Sequence, residues 1–101
     1  MSEMKEIMPE QLQAKIEAEE EIYVIDVRED YEVVNGMIPN AIHIPMNEIP
    51  NHLAKFDTDR EYTIVCAGGV RSERVCHYLM EHDIKVVNLV GGMNSWTGEV
   101  R

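Results

Sequence analysis

Cys66-Ala67-Gly68-Gly69-Val70-Arg71-Ser72 is the stretch of this 101-residue chain whose residue types and spacing can do chemistry. Two consecutive glycines let the backbone take positive φ and curl tightly, so that successive amide N–H groups of Ala67 to Ser72 can point inward as an anion-binding nest. A helix starting just beyond adds the partial positive charge of its N-terminus. A cysteine at the lip of such a bowl, with Arg71 close in sequence, has its thiolate favoured by amide dipoles and a guanidinium. The thiolate is the nucleophile, and the cradle stabilises it without a histidine base. The plainer reading of the same residues is a buried cysteine ending a strand, an ordinary Gly-rich turn and a surface arginine. The loop alone leaves both readings open.

The elements that must position this loop are legible on either side of it. Tyr62-Thr63-Ile64-Val65-Cys66 is apolar, β-branched and without strict alternation, as a strand buried on both faces reads. Residues Ile22 to Val27 and Lys85 to Val90 have the same character, Ile42-His43-Ile44 is a shorter candidate, and Met4 to Ile7 adds an edge strand. Ser72 to His82 sets Val75, Cys76, Leu79 and Met80 on one side of an amphipathic helix. Pro9 suits a helix's first turn, and Leu12 and Ile16 lie one turn apart, which predicts a helix from residue 9 to about 19. Strands alternating with helices argue for one open α/β sheet, mainly parallel, with helices on both faces. Sites in such folds form outside the carboxyl ends of the strands, where Cys66 lies.

Three stretches in order resemble the rhodanese homology domain, from about Ile22 to about Gly98. The first is Ile25-Asp26-Val27-Arg28-Glu29 with Tyr31-Glu32 and then Gly36-Met37-Ile38-Pro39-Asn40-Ala41-Ile42-His43-Ile44-Pro45. The second is the Cys66 to Ser72 loop, and the third is Gly91-Gly92-Met93-Asn94-Ser95-Trp96. The resemblance implies a parallel sheet of about five strands flanked by helices. It also implies an active cysteine, Cys66, that takes sulfane sulfur from thiosulfate or a persulfide and passes it to cyanide, a thiol or a protein. The Cys-x4-Arg spacing from Cys66 to Arg71 resembles the sulfurtransferase branch, whereas the phosphatase and arsenate-reductase branch has one residue more. One departure stands out: Met37 occupies the position usually held by histidine, from which altered local packing is expected and not lost activity. Met8, before Pro9, lacks the usual Ser or Thr cap, which touches only the start of the first helix.

The remaining reactive side chains divide into supporting and structural roles. Asp26 and Arg28 end an apolar strand, where an unpaired charge is costly, so a structural ion pair is the first reading and contact of Arg28 with the donor anion the alternative. Arg71 can hold the carboxylate of Asp26 or Glu32 or bind the sulfonate end of thiosulfate, its planar fork suiting either; the reading favours substrate and persulfide stabilisation. Ser72 is expected to cap the following helix, with a hydroxyl able to donate to the sulfur. Cys76, on the apolar face of that helix, reads as a small hydrophobe. His43, His52, His77 and His82 have no ligand spacing with a partner, so neither a metal nor another cofactor is expected. Trp96 reads as a packing anchor of the C-terminal turn.

Composition bounds the function. Lys plus Arg number 9 against 19 Asp plus Glu, a formal charge of -10 that repels phosphate backbones and anionic lipid, which argues against nucleic-acid and membrane partners. The length predicts one domain spanning residues 1 to 101. The first residues carry neither a signal-peptide nor a transit-peptide pattern, so a cytoplasmic protein with reduced thiols is expected. A second function class stays open beside the enzyme: a module of the same fold that docks partner proteins or delivers bound sulfur to one client.

Overall fold

The computed structural model describes residues 3–101; Met1 and Ser2 lie outside the described residues. In chain order the elements are β1 (Lys5–Ile7), α1 (Pro9–Glu17), β2 (Tyr23–Asp26), α2 (Asp30–Val33), β3 (Ile42–His43), a 3-10 stretch (Met46–Lys55), β4 (Glu61–Val65), α3 (Val70–Glu81), β5 (Lys85–Leu89) and a 3-10 turn (Gly92–Ser95). The strands form one sheet in the order β1-β5-β4-β2-β3, and every neighbouring pair runs parallel. The parallel α/β architecture expected from the sequence is therefore the one the chain adopts.

Successive side chains of a strand face opposite ways, so the apolar runs serve two cores at once. Ile25, Tyr62, Ile64 and Val86 pack with Val75, Cys76 and Leu79 of α3 and with Ile49 and Phe56. Val24, Val65, Val87 and Leu89 pack on the other side with Leu12 of α1, against which Ile16 and Trp96 also lie. Helices thus cover both faces, and parallel strands exposed on neither explain why the sequence runs lack a polar alternation. Among the described residues no helix is long and apolar enough to cross a membrane.

The differences from the sequence reading have local causes. Helix α3 starts at Val70, two residues before Ser72, because Gly69 takes φ 100° and turns the chain straight into the helix as its N-cap. Ser72 is therefore the third helical residue and not the cap. Helix α1 ends at Glu17, and Glu19 adopts a left-handed φ of 57°. At its start Met8 makes no side-chain cap bond, and the contact formed is the reciprocal half of a capping box, in which the Met8 amide donates to Gln11 Oε1 at 2.9 Å. Neither α2 nor the 3-10 stretch follows from hydrophobic periodicity: α2 is a single turn, and Pro50 interrupts the stretch from Met46 to Lys55.

Candidate active site

Cys66 follows the last residue of β4, and its side chain is buried, with 1% of its surface exposed. The Gly69 amide donates to Cys66 Sγ at 3.0 Å, and Ser72 Oγ lies 3.2 Å from the same sulfur. Only one of the two glycines carries the curl, because Gly69 has positive φ and Gly68 does not. The expectation that both would do so is corrected accordingly. An α-helix leaves its first amides without a partner inside it, so the N–H groups of Val70, Arg71 and Ser72 open α3 without an intrahelical acceptor, directly after the Gly69 amide that reaches the sulfur. Together with the aligned peptide dipoles of α3, they make this end of the helix favourable for negative charge. The Val70 side chain itself points to solvent, 65% exposed.

Two of the loop's carbonyls are held by a second segment. The Met93 amide donates to Cys66 O and the Asn94 amide to Ala67 O, each at 2.8 Å. This brace requires the chain to come close: a Cβ on Gly92 would lie 2.3 Å from Cys66 O and 2.6 Å from Ala67 O. Gly92 also has φ 56°, so the glycine answers both a close approach and a left-handed turn. The Gly91-Gly92-Met93-Asn94 stretch thus fixes the reactive loop.

Arg71 does not reach Asp26. Its Nη1 donates to Glu32 Oε1 at 2.6 Å and its Nη2 to Glu32 Oε2 at 2.8 Å, a two-pronged pair between α3 and α2. Of the partners considered from sequence, Glu32 is the one the fold supplies, and it uses two of the five guanidinium N–H groups. The guanidinium holds the Glu32 carboxyl down at about 2, well below the usual carboxylate range, and the same bond keeps Arg71 charged more firmly. Asp26 and Arg28 form a separate buried pair: Arg28 Nε donates to both carboxylate oxygens at 3.0 and 3.1 Å, and Nη2 to Oδ2 at 2.7 Å. The remaining Arg28 donors reach Glu32 O at 3.4 Å and Gly36 O at 2.9 Å. Arg28 is thereby a strap from the end of β2 to the helix that carries Glu32. The anion-binding alternative would require it to leave these partners.

Cys76 is fully buried in the core between α3 and the sheet, and burial pushes its thiol up to about 12. Trp96 lies against the α1 side of the sheet, with Nε1 donating to Glu99 O at 3.1 Å. It borders a cleft of about 670 Å³ with Glu17, Glu20 and Arg101, none of which belongs to the Cys66 loop. The large cleft and the Cys66 sulfur are therefore in different places. Met37 exchanges backbone bonds with Arg101, N–H to O at 2.8 Å in both directions, so the position that departs from the family histidine anchors the C-terminal residue.

One residue of the site escaped the sequence reading. Asn88, next to the last residue of β5 and 3% exposed, places Oδ1 2.5 Å from Ser72 Oγ and donates from Nδ2 to Gly69 O at 3.3 Å. Its signal was a lone amide inside the run Val86-Val87-Asn88-Leu89, where a buried polar group must have partners.

A strand-ending cysteine under a helix N-terminus, on a five-stranded parallel sheet, is the arrangement of the rhodanese-like domain, whose family model matches residues 8–99. The chain belongs to that family. It is similar to "Putative sulfurtransferase YtwF" of Bacillus subtilis, 52% identical over 99 residues that cover 98% of this chain and 96% of the relative. It is also similar to a "Sulfurtransferase" of Allochromatium vinosum, 36% identical over 92% of this chain and 88% of the relative. A crystal structure of a rhodanese-like domain protein from Staphylococcus aureus superposes with a TM-score of 0.92 at 43% identity, covering 97% of each chain.

Proposed function

We propose that the protein is a sulfurtransferase that carries sulfane sulfur as a persulfide on Cys66, taking it from thiosulfate or a persulfide donor. The observation that carries this reading is the Cys66 sulfur itself, held at the head of α3 by the Gly69 amide at 3.0 Å and faced by the Ser72 hydroxyl. A sulfur anion added there meets the free first amides of the helix.

With thiosulfate as donor, the Cys66 thiolate attacks the outer sulfur, the S–S bond of thiosulfate breaks, and sulfite leaves with the bonding pair. The new Cys66 persulfide keeps its terminal sulfur as an anion in the cradle. An acceptor such as cyanide, a thiol or a protein thiolate then attacks that terminal sulfur, and the Cys66–S bond breaks to return the thiolate. The two half-reactions balance without an external oxidant or reductant and make a ping-pong cycle. Arg71, with donors left over after Glu32 is served, is suited to the sulfonate of thiosulfate at the mouth of the loop. Val70, at the exposed edge of the same mouth, borders the acceptor's path.

The test is an intact mass before and after thiosulfate, then after cyanide, on the wild type, Cys66→Ser and Cys76→Ser. The expected result is a gain of one sulfur atom that cyanide removes as thiocyanate, lost in Cys66→Ser and retained in Cys76→Ser. Equal loss in both variants overturns the assignment, and no gain with any donor moves the reading to a docking module.

A further inference from the structure

We infer that Asn88 is a positioning residue that sets the direction of the Ser72 hydroxyl, and through it how readily the Cys66 sulfur gives up its proton. The inference rests on the placement of three buried groups. Ser72 Oγ carries one proton and is surrounded by three acceptors: Asn88 Oδ1 at 2.5 Å, Gly69 O at 3.1 Å and Cys66 Sγ at 3.2 Å. The shortest of these contacts is to Asn88, so in the resting thiol the hydroxyl donates to the amide and its lone pairs face the sulfur. The thiol proton then has an acceptor in Ser72 Oγ, and the three groups form a chain from Cys66 S–H to Ser72 O–H to Asn88 Oδ1.

That chain favours the protonated sulfur. Once the sulfur is an anion, as thiolate or persulfide, it is the stronger acceptor, because hydrogen bonds to ionised groups are about twice as strong as neutral ones. The hydroxyl must then turn away from Asn88 towards the sulfur. The amide itself cannot follow by flipping, because its Nδ2 is tied to Gly69 O. Asn88 thus makes the hydroxyl a two-position switch: one position matches the thiol and the other the sulfur anion.

The other charged or titratable groups on the elements packed about the loop include Arg71, Glu73, Arg74 and Cys76 on α3, Glu32 of α2 through Arg71, and the Asp26–Arg28 pair at the end of β2. β2 lies beside β4, with Asp26 in register with Val65. β5 contributes the neutral Asn88, so substituting it leaves this set of charges in place. Gly69 O keeps the Glu73 amide at 3.2 Å when Asn88 is removed, so that carbonyl is not orphaned.

The test measures iodoacetamide alkylation at Cys66 by peptide mass, as the ratio of the rate in mildly acidic buffer to that in mildly alkaline buffer, which cancels differences in access. It does not depend on sulfur transfer, so its failure is separate from failure of the proposed activity. Asn88→Val, which suits a buried strand, is expected to raise the ratio roughly three- to tenfold, the size of one hydrogen bond. The same substitution in a Ser72→Ala background is expected to change nothing further. Asn88→Ala serves as the second variant should valine disturb the fold. An unchanged or lower ratio, or an equal rise without the Ser72 hydroxyl, overturns the inference.

Discussion

The Glu32–Arg71 pair shows how a single residue contact couples the site to pH. Arg71 stays charged throughout, so the titration that matters is that of Glu32, whose carboxyl the guanidinium holds near 2 against an ordinary 4.5. A carboxyl depressed in the folded state contributes stability that is present above its unfolded value and disappears as pH falls through the folded one. Glu32→Gln is therefore expected to cost about 1–2 kcal/mol at neutral pH, less than a sealed pair would because both side chains keep a wet edge. The difference from wild type should shrink below about pH 4.5 and disappear as pH falls through about 2, as urea unfolding across that window will register. Cys66 was legible from its loop and neighbours. Glu32 was legible only as one of two possible partners, because sequence spacing does not say which carboxylate lies opposite α3. Asn88 stands 22 residues beyond Cys66 and acts only because β5 lies beside β4.

At the scale of elements, the reactive loop is a strand end, a left-handed glycine, a helix start and a brace from the following turn. The brace makes Gly68 and Gly92 unequal. A Cβ on Gly68 would meet only Asn94 Nδ2 at 3.8 Å, an ordinary contact, whereas one on Gly92 would run into two backbone carbonyls of the loop. Gly68→Ala is expected to keep sulfur transfer within about threefold of wild type, while Gly92→Ala should lose it at least a hundredfold, since a misplacement of about 1 Å costs that much. Persulfide formation by intact mass, with circular dichroism to confirm the fold, distinguishes the two. The sequence signals strands and helices through their apolar periodicity. It is silent on the 3-10 stretch from Met46 to Lys55, whose proline breaks any regular period, and on α2, too short to show one.

Across the whole molecule the sheet separates two half-cores. Leu79 of α3 sits in one and Leu12 of α1 in the other, both with no exposed surface. Each Leu→Ala change is expected to cost about 2–5 kcal/mol from lost burial and a cavity. Because the two clusters share no member, the double variant should show the sum to within about 0.5 kcal/mol in chemical denaturation. A clear departure would mean that the sheet transmits strain between its faces. The Leu79 change lies under the helix that cradles Cys66, so of the two it is the one expected to slow sulfur transfer as well.

What the sequence by itself determined is whatever depends on neighbours along the chain. The β-branched runs that can only be buried strands, the amphipathic face of α3, and a cysteine followed by glycines and an arginine are all of this kind. Tertiary structure decided what depends on neighbours in space. It gave Arg71 to Glu32, tied Arg28 to Asp26 and to α2, set Met93 and Asn94 against the loop's carbonyls, and put the Asn88 amide behind Ser72. The physical reason is that a hydrogen bond is fixed by distances of about 3 Å. Parallel strand order sets such distances between residues far apart in the chain, and no local pattern records that order.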